Sequence, residues 1–349
     1  MKKTLLALAV ISAASSVNAA EILKSDAGSV DFYGQLRTEM KFMDSKDYNA
    51  DLTTGSSRIG VSADYKAVEG FNVLGLVEVG VPANDSNDVT VRRHLVGFAT
   101  DFGTIKFGRD WTTSDDIGGT DYSYFFGGTG NRYSTLNGAL NTSQIKYSLD
   151  LDNAWVKASY GLNDSNQDQD LAELFAGTSF GDVALHAGVG KNRNHDVKDT
   201  NSAGGTSTSY GDISNTFYEL TAVYSATDSL ELSATYYGAK LKNEAGAGKI
   251  DENAISLGAY WTFAEKTSLY AGYEFVKQEA KDILANADED GTNVFAGLEY
   301  KFGSFARVFA EAGFSDGTTL GFTTKDNVLV GPTKVDSETN FGIGARVYW

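Results

Sequence analysis

The residues able to do chemistry fall into two groups: a few histidines, and many charges whose direction depends on the segments that carry them. The histidines are His94, His186 and His195, and the chain has no cysteine. It contains neither a Gly-x-Ser-x-Gly elbow nor a His-Glu-x-x-His pair, so the hydrolase nucleophile turn and the zinc-protease helix have no counterpart. His195 stands in the polar run Asn192-Arg193-Asn194-His195-Asp196, which reads as solvated loop. Asp288-Glu289-Asp290-Gly291 lacks the spacing and the closing Glu of a calcium loop. A hydrolase assembled from distant His, Asp and Ser is the weaker alternative. No enzymatic activity, cofactor or metal is expected.

The charges offer a different chemistry, the sorting of ions by an electric field. The formal charge is −17. Such acidity argues against nucleic-acid binding and suits a surface that attracts cations. Asp115, Asp116 and Asp121 cluster in one stretch, with Glu78 upstream, and Arg37, Arg58, Arg92 and Arg93 lie in alternating segments.

Those segments are strands. In Asp31 to Phe42 the even positions read Phe, Gly, Leu, Thr, Met, Phe and the odd positions Asp, Tyr, Gln, Arg, Glu, Lys. Period-two alternation gives one face fit for lipid and one for water. The same holds for Ile255, Leu257, Ala259, Trp261 and Phe263, and for Phe341, Ile343, Ala345, Val347 and Trp349. Gly is abundant (38), Pro scarce (2), and both prolines, Pro82 and Pro332, fall between strands. No long uncharged apolar run exists that could form a membrane helix.

The chain opens with Met1-Lys2-Lys3, an apolar run to Ile11 and small residues to Val17-Asn18-Ala19. This is the layout of a secretory signal peptide over residues 1–19, cleaved after Ala19, leaving a single domain over residues 20–349. The connections between strands alternate short and long. Short ones include Thr100–Gly103, Gly181-Asp182 and Gly303-Ser304; long ones include Met43–Ser57, Thr112–Asn141, Lys191–Ile213, Lys242–Asp251, Gln278–Gly291 and Ser315–Glu338. A transmembrane barrel with short turns on one rim and loops on the other predicts this, and a soluble sandwich does not. The expected fold is all-β, an antiparallel transmembrane β-barrel of about sixteen strands, each near ten residues, with fourteen or eighteen as alternatives.

Val30-Asp31-Phe32-Tyr33-Gly34, Ser57-Arg58-Ile59-Gly60, Phe107-Gly108-Arg109-Asp110 and the aromatic end Tyr348-Trp349 resemble the general diffusion porins of Gram-negative bacteria, and within them the OmpT-type porins of Vibrio. The resemblance implies a sixteen-stranded homotrimer in the outer membrane, each protomer a water-filled pore for passive diffusion of small hydrophilic solutes. It implies that the third long loop, Thr112–Asn141, folds into the lumen, with Phe125-Phe126-Gly127-Gly128 near its tip. It further implies that wall arginines face loop carboxylates across the narrowest level. It places lipopolysaccharide, outer-membrane lipids and the barrel-assembly machinery among the partners, the last reading Tyr348 and Trp349. The family usually ends in Phe, and this chain ends in Trp349.

Carried over by position, Arg37 and Arg58 are wall bases, with Arg92 or Arg93 in the next place. Taking Leu95 and Gly97 as outward puts Arg92 and His94 inward and leaves Arg93 facing lipid, so that Arg93 lies near a rim or a subunit contact, or the register differs by one. No further wall arginine is found, and Arg132 is off register. The acidic set Asp115, Asp116, Asp121 and Glu78 therefore favours weak cation preference. Trp111, Tyr122, Tyr124, Phe125, Phe126 and Tyr133 read as packing on the inner wall, with a sugar-guiding aromatic track as the alternative. Trp261, Phe263, Tyr348 and Trp349 are expected in an interfacial girdle. A sugar-selective pore, or a barrel acting mainly as an adhesin or phage receptor, are the competing functions.

Overall fold

The computed structural model describes residues 20–44, 50–81, 89–117, 119, 121–128, 140–163, 169–199, 208–282, 287–320 and 333–349. The expected signal peptide, Arg132 and Tyr133 lie outside the described residues. The first strands are β1 (Ala20–Ser25), β2 (Gly28–Phe42), β3 (Asp51–Thr53), β4 (Arg58–Val68), β5 (Phe71–Gly80), β6 (Thr90–Thr100), β7 (Gly103–Trp111), β8 (Leu140–Asp150) and β9 (Ala154–Gly161). They continue as β10 (Gln169–Phe180), β11 (Val183–Asp199), β12 (Thr208–Thr227), β13 (Leu230–Asn243), β14 (Lys249–Ala264), β15 (Thr267–Lys281), β16 (Ala287–Gly303), β17 (Ala306–Thr319) and β18 (Thr333–Tyr348). Helix α1 (Thr113–Ile117) follows β7.

All pairings are antiparallel, β9 pairs with β10 and β18 pairs with β2, so the sheet closes on itself. Two of the eighteen strands are additions to the ring. β1 pairs with Gly28–Phe32 on the edge of β2 whose other half, Gln35–Phe42, is taken by β18, and β3 pairs only with Glu39–Lys41. Sixteen strands therefore make the barrel. Closure satisfies every ladder edge within the membrane, where an open edge has no water to bond. The short rim lies where the alternation predicted it; Gly181-Asp182 is a turn, and Gly181 supplies the positive φ of 60° that it needs.

Parity follows the sequence on most strands. Phe341, Ile343 and Val347 are about half exposed on the outside, as are Ile255, Leu257, Trp261 and Phe263. Tyr348 departs from the expected girdle: it pairs with the inward Gln35, and the Arg307 guanidinium lies 5.1 Å from its ring. Strand length also departs from expectation. β11 and β12 reach 17 and 20 residues, and much of what reads as loop in Lys191–Ile213, Lys242–Asp251 and Gln278–Gly291 is ladder. Above the membrane both faces of a strand meet water, so the apolar signal stops while the hydrogen bonding continues.

β6 corrects the sequence reading of its parity. Glu78 pairs with Arg93 but Val79 pairs with Val91, which leaves Arg92 as the extra residue of a β-bulge. The bulge lets Arg92 and Arg93 both point into the lumen. From Arg93 onward the parity is the reverse of the expected one: Leu95 is inward and 5% exposed, while His94 is exposed on the outer wall opposite Arg109.

Inside the barrel, aromatic rings lie flat on glycines of the neighbouring strand. Phe175 covers Gly188, Trp155 covers Gly177, and Tyr270 covers Gly297. A Cβ on Gly297 would stand 2.1 Å from the Tyr270 ring, which cannot swing away because its hydroxyl donates to Glu311 at 3.0 Å. Gly297→Ala is thus expected to destabilise by about 1–3 kcal/mol, an overpacking cost. Gly75→Ala, with nothing within 4 Å of the new methyl, should be close to neutral. Thermal unfolding of the two variants in detergent measures the contrast; equal midpoints would remove the close-approach argument.

Candidate functional site

The described parts of the segment between β7 and β8 run along the inner wall. Thr112 caps α1, its Oγ1 accepting from the Asp115 N–H at 3.3 Å and its carbonyl from the Asp116 N–H at 3.1 Å. Ser114 donates its N–H and hydroxyl to Glu173 of β10 at 3.1 and 2.7 Å. Ile117 inserts into a buried cluster with Trp155, Phe175, Phe217, Tyr237 and Val276, so water is excluded between helix and wall. Further on, Tyr122 donates to Glu231 of β13 at 2.7 Å, and Tyr124 donates to Glu299 of β16 while stacking on Phe309 at 3.8 Å.

The stretch from Tyr124 to Phe126 is fixed by one carboxylate. Glu311 of β17 accepts the consecutive backbone N–H groups of Tyr124, Phe125 and Phe126 at 2.6, 3.2 and 2.7 Å. Successive amides converging in this way form an anion-holding concavity. From the turn the chain comes back, and Gly128 donates to Glu274 of β15 at 3.0 Å. Tyr122, Tyr124, Phe125 and Phe126 are thus packed on the wall, as the blander sequence reading has it.

The expected wall bases lie on β2, β4 and β6. Glu78, 2% exposed, accepts from Arg92 Nε at 2.9 Å and from Tyr33 at 3.1 Å, with Arg58 Nε at 3.6 Å. Glu78 is thereby the counter-ion of two arginines. Arg93 Nε donates to Asp110 at 2.6 Å, and Lys146 reaches Asp110 at 3.6 Å and Asp116 in an ion pair. Among the described residues, the terminal nitrogen of Arg37 has Gln35 Oε1, at 3.4 Å, as its partner.

Alternation alone did not bring out three further wall bases. Arg346 of β18 is the direct cross-strand partner of Arg37, sits 4.5 Å from the Tyr124 ring and reaches Glu39 at 3.4 Å. Arg307 meets Glu299 at 3.1 Å, and Lys146 links wall to helix. The signal was present: Arg346 shares the inward parity of Gly342 and Gly344, opposite the outward row already read.

Asp115 and Asp121 are open to the lumen yet ringed by barrel wall. The loss of surrounding water, with repulsion from Asp116, pushes the Asp115 carboxyl up to about 7, against the pull of Lys146. Asp121 is pushed up to about 6 by the same loss of water, opposed by the N–H and hydroxyl of Ser123 and reinforced by Glu274 and Glu311. Arg92 is close enough to pull the Asp115 carboxyl down, and Arg346 lies 4.5 Å from the Tyr124 ring of the inward segment. Charges of both signs therefore line the lumen, and lining charge is a means by which a pore sorts solutes.

Replacing Glu311 by Ala removes the shared acceptor of three amides at once. Single-channel recording should then show a changed conductance and increased open-channel noise as the segment loosens. Unchanged traces would mean that Glu311 does not hold it.

Comparison with known proteins places the chain. The model of a family described as Gram-negative porin matches residues 7–320. The major outer membrane protein of Pasteurella multocida strain Pm70 is 28% identical over 373 residues, covering all of both chains. Outer-membrane-expressed OmpT of Vibrio cholerae is 52% identical, with a TM-score of 0.84, over 94% of this chain and all of that one. Its in-vitro folded trimer form is 51% identical, with a TM-score of 0.83, over 93% and 100%. An anion-selective porin from Comamonas acidovorans shares the fold at 16% identity and a TM-score of 0.71. With its closed barrel, charged lumen and outward apolar belt, this chain belongs to the Gram-negative porins and is a non-enzymatic channel protein of the outer membrane.

Proposed function

We propose that the channel passes small hydrophilic solutes by passive diffusion with a weak preference for cations. The observation that carries this is a contrast in pairing. Among the described residues no lysine or arginine is bonded to Asp115 or Asp121, which face water, whereas Arg92, Arg93 and Arg346 each hold a carboxylate. Arg37 and Arg58 temper the preference and keep it weak. The rings of the inward segment are committed to wall contacts, which favours diffusion over a sugar-guiding track.

We further propose a homotrimer, the form recorded for the related V. cholerae protein. Arg109 supports it. Its Nε donates to the Val91 carbonyl at 2.9 Å, and it stands on the outer wall beside His94, between apolar rows containing Val96 and Phe107 below and Val79 and Val91 above. Against lipid an arginine at mid-depth costs about 2–4 kcal/mol; a neighbouring protomer removes that cost. Trp349, packed outward on Gly34 and 6.2 Å from Phe32, and its neighbour Tyr348 form the terminus offered to the assembly machinery.

The test is the reversal potential across a planar bilayer under a salt gradient. A small cation-selective value is expected, falling towards zero in Asp115→Asn/Asp121→Asn; clear anion selectivity would falsify the reading. Both carboxyls are raised, so both are charged at pH 8 and neutral at pH 5. Cation preference should therefore decline as pH falls through 7 and 6, and the decline should be blunted in the double variant.

A further inference from the structure

The polar run Asn192 to Asp196, which reads as solvated loop, is ladder of β11 with an irregularity in it. Asn194 pairs with Ile213 and Val197 with Gly211, so His195 and Asp196 together stand opposite Asp212 of β12. This is a β-bulge, and Asp196 takes a positive φ of 51° within it. A non-glycine residue keeps such a φ only where its surroundings hold it there. The bulge also resets the inner face. Asn194 is buried on the inside, so strict alternation would turn Val197 outward. With the extra residue Val197 is fully buried, in the apolar cluster with Ile213, Leu241, Ile250, Ala280 and Leu320. That cluster lies inside the barrel at the long-loop rim. The Leu320 N–H, just beyond β17, is tied there to Gln278 Oε1 at 2.7 Å.

One imidazole holds the bulge from the outside. His195 Nδ1 lies 3.1 Å from Asp212 Oδ2, and its Nε2 lies 3.0 Å from Asp170 Oδ2 of β10. The other Asp212 oxygen accepts the Asp196 N–H at 3.3 Å. A single carboxylate thus binds both residues of the bulge. A neutral imidazole carries one N–H and one lone pair. Set between two carboxylates, it donates to one and turns its lone pair on the other. The imidazolium donates to both, and so ties β10 to β12 across β11. The other described charges on this face include Arg193, whose Nε is 3.5 Å from Asp212 Oδ2, and the exposed Asp196. Lys191, Lys242 and Glu244 lie farther along it.

We propose that His195 is a proton-operated clamp on the long-loop mouth of the barrel. Charged, it joins β10 to β12, fixes the bulge and keeps Val197 in the mouth cluster. Neutral, it is repelled by one of its two aspartates, and the bulge and the cluster loosen. The proposal rests on the outer-membrane reading, with the long connections outside, for the source of the proton, which is the external medium. His195 is partly exposed and Asp170 and Asp212 more so, so that medium reaches them. The clamped form holds one proton more than the released form. It is therefore favoured as pH falls and lost as pH rises through the titration of the ring. Histidine is the side chain whose charge changes near neutral pH, while carboxylates titrate in a lower range. The mouth is thus firmest in a mildly acid medium and loosens in an alkaline one.

Amide hydrogen exchange of the purified full-length barrel in detergent micelles tests the clamp. Mass spectrometry reads residues 190–199 and 208–216, with rates corrected for the intrinsic pH dependence of exchange. In the unaltered protein these amides should exchange roughly tenfold more slowly at about pH 6 than at about pH 8.5, the effect of one charge-assisted hydrogen bond. His195→Gln should exchange fast at both pH values. Asp170→Asn should exchange slowly at both, because its amide N–H donates to the ring nitrogen that a neutral imidazole leaves bare. This second variant separates loss of the clamp from loss of fold. Exchange that ignores pH in the unaltered protein overturns the proposal, as does an unchanged pH dependence in His195→Gln or fast exchange of Asp170→Asn at the higher pH. Channel formation is read separately in a planar bilayer, so failure of the clamp leaves the porin assignment standing.

Discussion

The lumen is organised around the Glu311 carboxylate, which gathers three successive amides from Tyr124 to Phe126. A segment crossing the inside of a barrel leaves many backbone donors away from the sheet, and each buried one needs an acceptor. The wall supplies acceptors as glutamates, Glu173, Glu274 and Glu311, spaced around the ring. Acidity on this wall is therefore structural as well as selective. Tyr270 ties the same carboxylate to Gly297 beneath its ring, so loop position and barrel packing are coupled through one side chain.

The stretch of wall from β18 through β2 and β4 to β6 solves another problem, the crowding of cations. Arg37 and Arg346 are direct cross-strand partners, and Arg58, Arg92 and Arg93 stand close by. Like charges side by side destabilise a sheet. Buried Glu78 and Asp110 are placed beneath them, and the bulge at Arg92 fits two consecutive arginines on one face. The field of the lumen thus depends on a one-residue irregularity in β6.

Much of this was legible in the sequence, and the failures have physical causes. Alternation gave the outer face of β14 and β18 and the inward direction of Arg37 and Arg58, because a two-sided environment imprints period two. It failed on β6, where the bulge slips the period and where Leu95 is an inward leucine indistinguishable from a lipid-facing one. It failed again on the upper parts of β11 to β16, which are ladder without an apolar face. Asp115, Asp116 and Asp121 were found as a cluster, but the ion pair of Asp116 with Lys146 was not, since Lys146 meets the helix only in space. Arg346 stood within the terminal strand and was passed over for the outward row beside it.

The shared edge of β2 has a consequence for how the barrel comes together. Tight turns such as Gly181-Asp182 make neighbouring strands pair with partners close in the chain, and those contacts form quickly. The seam between β2 and β18 is of another kind: Arg346 meets Glu39, and Asp44 donates to Asn340, across some three hundred residues. Until that seam zips, β2 and β18 each present a bare edge, the feature that makes a partly built sheet prone to pair with the wrong chain. β1 already covers Gly28–Phe32 of that edge from within its own hairpin. The stretch left for the last strand is shortened to Gln35–Phe42, which limits both the register choices at closure and the hydrogen-bonding groups exposed while it waits.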